Sequence, residues 1–252
     1  MVVPETITVG DKTYTVTAIG EKAFQQCRFL DNVVISKNVT YIGSSAFDEV
    51  SAKKISFAEG SQLTTVGGFA FYAGVFDEII LPEGVTDIGK AAFSNSKIGS
   101  VTIPSTVTAW GEVCFATNSL SSVHINSTTP PDIEQCFRTN TGDADYADYN
   151  DFVPYGIQST VLYVPAGCRS AYEQNAVWGT FGFILEPGDD DSFISSITRD
   201  VVKQDGISYQ INGSKRIARV CDINDDVKDV AIANTLTLGS KELSVTSIGN
   251  TS

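Results

Sequence analysis

The sequence predicts a solenoid: short parallel strands stacked rung on rung, with a small β-rich module after them. Three observations predict it. The segments TAIGEKAF (17–24), TYIGSSAF (40–47) and TDIGKAAF (86–93) are near copies of one another. The phenylalanines Phe24, Phe47, Phe71, Phe93, Phe115 and Phe137 recur at steps of 23, 24, 22, 22 and 22 residues. A second signature precedes most of them, as in LDNVVIS (30–36), FDEIILP (76–82), IGSVTIP (98–104) and LSSVHIN (120–126). A fixed period of this length is the mark of units that bury their apolar sides only against their neighbours.

Each unit opens on a stretch that alternates, with Val101 and Ile103 inward and Thr102 outward, which is a strand signal. The expected strands lie near 33–35, 55–57, 79–81, 101–103, 123–125 and 161–164. Proline or a small residue closes them at Pro82, Pro104 and Pro165. Thr-x-Ile-Gly follows, then Ala-Phe. The glycines Gly20, Gly43, Gly67, Gly89 and Gly111 are expected to provide a tight bend. One or two helical turns after them would carry alanine and phenylalanine inward. Parallel strands about 4.8 Å apart would make six rungs about 25–30 Å long. The sixth rung is degraded to PDIEQCF and has no glycine.

The chain has 252 residues, a formal charge of −13 and 42% hydrophobic residues, so a folded core is expected. Thirty acidic residues against 17 basic ones argue against nucleic acid or an anionic membrane as partner. No run approaches the roughly 18 apolar residues of a membrane span, and MVVPETITVG lacks the features of a signal peptide. A lone histidine, His124, argues against histidine-cluster metal sites and histidine-based catalysis. There is no GxSxG elbow, and no cofactor is expected. Cys114 and Cys136 stand where other rungs have alanine, so both read as small buried residues.

The pattern L-x-x-V-x-I-P, V-T-x-I-G-x-x-A-F, then cysteine and leucine, resembles the BspA-like leucine-rich repeats of bacterial surface proteins. It is clearest at 30–47 and 76–93, with Cys27 and Leu30 as the C-x-x-L element. The resemblance implies a right-handed leucine-rich-repeat solenoid over 1–186. Residues 159–187 resemble the closing element, with Tyr172, Trp178 and Phe181 or Phe183 over the end of the core. EPGDDDSF (186–193) reads as a linker, so 187–252 forms a linker and a partial second module.

Within that module VAIANTLTLGSKELSVTSIG (230–249) aligns without gaps on residues 1–20. Asp205, Gly206, Ile207 and Tyr209 resemble the leader that precedes such a strand in the family, and residues 1–20 lack one. Either both ends cut through family units, or the C-terminal region covers the bare first rung of the same or another chain. An unpaired first strand is an edge open to self-association.

Outward strand positions stack in a solenoid. The first row is Val34, Ser56, Ile80, Thr102, His124 and Tyr163. The second is Asn32, Lys54, Glu78, Ser100, Ser122 and Val161. From these rows Val34, Ile80, Thr102, His124 and Tyr163 are candidates for ligand contact. The irregular stretch 139–156 adds Tyr146 and Tyr149 among Asp143, Asp145, Asp148 and Asp151. Its acids do not follow a calcium-loop pattern, since Asp148 stands at position six and Pro154 at position twelve. The resemblance implies a non-enzymatic extracellular or cell-surface binding or adhesion module with a protein or glycan partner. The other reading is a spacer that presents another domain.

Overall fold

The computed structural model describes residues 1–28, 30–116, 120–133, 160–189, 197–198, 201–204, 207–212, 217–223, 235–238 and 241–248. The chain divides into two units, Met1–Pro154 and Tyr155–Ser252. The expectations for Cys136, Phe137 and the stretch 139–156 lie outside the described residues.

The first unit runs β1 (Thr6–Val9), β2 (Lys12–Thr15), β3 (Ala18–Ile19), β4 (Leu30–Ile35), β5 (Tyr41–Ile42), β6 (Ala52–Phe57), β7 (Thr65–Val66), β8 (Val75–Ile80), β9 (Asp87–Ile88), β10 (Lys97–Ile103), β11 (Ala109–Trp110) and β12 (Ser122–Ile125). β1 and β2 form an antiparallel hairpin turned at Gly10, φ 61°. Among the described residues all the other pairings of this unit are parallel. The long strands pair as β4 with β6, and as β8 with β10 with β12. An isolated bridge from Ser51 to Val75 carries the register between the two groups. The two-residue strands β3, β5, β7, β9 and β11 form the second ladder. This is the stacked solenoid that the repeat predicts.

Alternation on the long strands puts Val33, Ile55, Ile79, Val101 and Val123 inside, each at most 2% exposed. The short ladder adds Ile19, Ile42, Val66 and Ile88, also buried. The repeated threonine has its own work. Thr40, Thr64 and Thr86 each donate both backbone N–H and hydroxyl to the carbonyl of the threonine one rung earlier. That satisfies a carbonyl at the edge of the core without a wider ladder.

Phe47, Phe71, Phe93 and Phe115 are at most 1% exposed. Their rings stack at centroid separations of 5.0–5.1 Å and interplanar angles of 1–3°. Phe24 continues the stack at 5.0 Å and is half-buried. The spacing is close to the usual strand-to-strand repeat of about 4.8 Å, as expected when one period sets both. Cys114 is 0% exposed, like its rung equivalents Ala46, Ala70 and Ala92.

Two details differ from the sequence reading. The segments after the glycines are hydrogen-bonded turns and contain no helix among the described residues. The repeated glycines do not supply the bend, for none has positive φ. The bend comes two residues later, at Lys22, Ser45, Phe69, Ala91 and Val113, with φ of 48–57°. A second left-handed residue follows four further on, at Gln26, Glu49, Ala73 and Asn95. Axial hydrogen bonds hold these costly conformations. Lys22, Phe24 and Gln26 donate N–H to the next rung, while Ala23, Gln25 and Cys27 donate back to the residue three earlier. Glycine is required instead by close approach. A Cβ on Gly43, Gly67, Gly89 or Gly111 would meet backbone of the preceding rung at 2.2–2.8 Å.

The second unit runs β13 (Val161–Tyr163), α1 (Arg169–Gln174), a 3-10 turn (Trp178–Thr180), β14 (Phe183–Leu185), β15 (Ile197–Thr198), β16 (Val201–Gln204), β17 (Ile207–Asn212), β18 (Ile217–Ile223), β19 (Thr235–Leu238) and β20 (Lys241–Ile248). β13 and β14 are parallel. Tyr172, Trp178, Phe181 and Phe183 are buried, with Trp178 edge-on to Tyr172 and stacked on Phe181. The acidic stretch after β14 is anchored at its start. Asp189 accepts from the Arg169 guanidinium and from the Glu186 N–H, which hold its carboxyl below the usual range. β15–β20 form a six-stranded sheet in the order β15-β16-β17-β18-β20-β19, antiparallel except for β18 and β20.

Candidate binding face

The outward positions of the long strands form the rows that alternation requires. Ile80 is in register with Thr102, and Thr102 with His124. Val34 is in register with Ser56, and the offset fixed by Ser51 and Val75 sets Ser56 opposite Ile80. Three of the predicted residues, Ile80, Thr102 and His124, are thus immediate neighbours. Tyr163 is half-buried on β13 of the second unit. Tyr146 and Tyr149 lie outside the described residues.

The first rung carries a strand segment that the sequence reading missed. Met1–Val3 run parallel to β4, with the Val3 N–H donating to Val34 O (2.9 Å) and the Val34 N–H to Met1 O (3.0 Å). The row therefore begins at Val2, which is 68% exposed. Val2-Val3-Pro4 repeats the strand-then-proline ending of later rungs, and that was the available signal.

The adjacent row is polar over the first unit, whereas Val161, expected to face outward, is 0% exposed. Lys54 pairs with Glu78 at 3.5 Å, and the Ser122 hydroxyl donates to Ser100 at 2.8 Å. Ile80 stands out of this surface at 53% exposure. Beside it lies an open cleft of about 490 Å³ whose lining includes Lys54, Phe57, Glu59, Glu78, Pro82 and Glu83. Glu83 accepts from the Asn126 amide at 3.1 Å and from the Ser105 hydroxyl at 3.3 Å. Neutral donors therefore fix its position without cancelling its charge. Burial holds the His124 imidazole below its usual pKa, and the nearby Glu78 carboxylate opposes that shift. His124 is neutral at pH 7.

This face offers an apolar projection, fixed carboxylates and a neutral imidazole. Among the described residues no three His, Cys, Asp or Glu side chains gather as metal ligands. Three exposed aromatics on other faces escaped the sequence reading. Tyr14 is 50%, Tyr41 42% and Phe69 41% exposed. Phe69 lies edge-on to Tyr72, whose hydroxyl accepts from the Asn95 amide. Their positions vary from rung to rung, so the period gave no signal for them.

Residues 12–142 match the family described as BspA type leucine-rich repeat region, in six copies. The chain belongs to this family. Among solved structures it is similar to the pneumococcal vaccine antigen PcpA, at 28% identity over 49% of this chain and 39% of that one, TM-score 0.40. A leucine-rich repeat protein from Eubacterium ventriosum is 26% identical over 44% of this chain and 30% of its own, TM-score 0.40. One from Bacteroides ovatus is 25% identical over 50% of this chain and 41% of its own, TM-score 0.42. The chain spans between 30% and 41% of the length of these three. No curated protein matches. The BspA-type repeat accounts for the phenylalanine and glycine period. It assigns no ligand to the face.

Proposed function

We propose that this chain is a non-enzymatic binding module of a bacterial surface or extracellular assembly. Its ligand is a protein or a glycan, met on the outward strand face around Ile80, Thr102 and His124. The stretch 139–156, with Tyr146 and Tyr149, and Tyr163 on β13 are further contact candidates. Residues 1–186 act as the binding solenoid and 187–252 begin a second module.

The observation that carries this reading is Ile80, an aliphatic side chain 53% exposed between in-register strands and beside a cleft. A stacked ladder holds such a group in place before binding, so little ordering entropy is lost. The charge of −13 favours partners with basic surfaces and makes their association rates fall with salt.

The test is capture of matrix proteins and glycans by the immobilised chain. Ile80→Ser is expected to weaken capture of a true partner with the melting temperature unchanged. A partner that binds this variant and a 139–156 deletion as well as wild type would show both surfaces to be wrong. Absence of any partner would favour the spacer reading.

A further inference from the structure

Two carboxylates rim the cleft beside Ile80, and one turn used twice presents them. Ala58-Glu59-Gly60-Ser61 and Pro82-Glu83-Gly84-Val85 each close with the N–H of the fourth residue donating to the carbonyl of the first, at 3.1 and 3.3 Å. The third residue is glycine with positive φ in both, 72° and 104°. The turns follow β6 and β8, neighbouring rungs whose register Ser51 and Val75 fix. Glu59 and Glu83 therefore hold the same place one rung apart, like charge beside like charge.

The rungs on either side do not continue this acidic row. The register places Lys37 at the position before it and Ser105 at the position after it. Lys37 is engaged by Glu5 at 3.4 Å. Among the described residues neither Glu59 nor Glu83 has a cation within ion-pair distance. The cleft's lining holds three carboxylates, Glu59, Glu78 and Glu83, against the single ammonium of Lys54, and Glu78 already pairs with Lys54. The apolar part of the same wall is exposed Ile80, with Phe57 and Pro82 half-buried beside it.

We infer that this cleft takes a basic segment of a protein, a short stretch in which lysine or arginine stands next to an aliphatic side chain. This rests on the reading of the Ile80 face as the binding surface and names the class of its ligand. The aliphatic group covers Ile80 and Phe57. The cation sits between Glu59 and Glu83 and relieves their repulsion. Asn126 and Ser105 hold the Glu83 carboxylate in place and leave it lone pairs for a charge-assisted hydrogen bond. A neutral glycan could donate hydroxyls to the same carboxylates but would leave their charges uncompensated. A sulfated or sialylated glycan would be repelled.

The experiment applies the labelled full-length chain to a random-peptide array and to a glycan array. Three variants run beside it: Glu59→Gln/Glu83→Gln, Ile80→Ser, and Asp11→Asn/Glu21→Gln, which makes the same charge change outside the cleft lining. The expected result is that retained peptides are enriched in lysine or arginine next to aliphatic residues. Their signal falls roughly fivefold or more in Glu59→Gln/Glu83→Gln, as the loss of two exposed ion pairs implies. It falls in Ile80→Ser as well and holds in Asp11→Asn/Glu21→Gln. Relief of repulsion should keep the melting temperature of Glu59→Gln/Glu83→Gln at or above that of wild type, so a lost signal is not a lost fold. An equal fall in Asp11→Asn/Glu21→Gln would show that overall charge selects the peptides and would overturn the proposal. Glycans retained through Ile80 and indifferent to Glu59→Gln/Glu83→Gln would overturn it while leaving the binding face standing. No Ile80-dependent signal on either array would overturn the proposal and the binding face together.

Discussion

Gly111 rests directly on Gly89: a Cβ on Gly111 would stand 2.3 Å from the Gly89 carbonyl carbon. Backbone is the obstacle, and backbone in a stacked ladder has little room to retreat. Gly111→Ala is expected to cost about 3 kcal/mol or more, above ordinary overpacking. Gly20→Ala, with nothing within 4 Å of its Cβ, should change stability by less than about 1 kcal/mol. Urea denaturation of the two variants checks this, and equal costs would refute the close-approach account.

The phenylalanine stack makes a graded prediction. Phe71 is 0% exposed and lies between Phe47 and Phe93, with Phe76 edge-on at 5.9 Å. Truncation to alanine removes transfer free energy and leaves a cavity, about 3–5 kcal/mol together. Phe24→Ala should cost clearly less, because Phe24 is half-buried and stacks on one neighbour only among the described residues.

Left-handed residues other than glycine invite relief. Lys22 has φ 56° and is exposed, and it pairs with Glu21 at 3.4 Å on the surface. Such an ion pair contributes little. Lys22→Gly should raise stability by up to about 1 kcal/mol, and Lys22→Val should lower it by a similar amount. Thermal melts that move in the same direction for both would show that the backbone angle is not the cause.

His124 gives a pH signature. Its folded-state pKa is depressed, chiefly by burial. The unfolded chain therefore binds a proton near pH 6.5 that the folded chain resists. The stability it confers is full above that value and is lost as pH falls below it. Being the single histidine of the chain, it can be isolated by subtraction. The difference in unfolding free energy between wild type and His124→Gln should be flat above pH 7 and shrink on acidification through pH 6.

The sequence by itself determined the rungs. Six phenylalanines in one period, with alternation at Val101-Thr102-Ile103, sufficed for strand positions and inward residues, because every layer must repeat the contacts of the last. It determined the rows Val34–Ser56 and Ile80–Thr102–His124 for the same reason. Only the tertiary structure decided what each repeated residue is for. The glycines read as bends, yet they are spacers between backbones, since close approach is a property of two rungs and no single rung reveals it. The bends fall on Lys22, Ser45, Phe69, Ala91 and Val113, whose side chains share nothing that a pattern would register. Likewise Ile80 stood as one apolar residue in a mixed row until its exposure and neighbouring cleft set it apart.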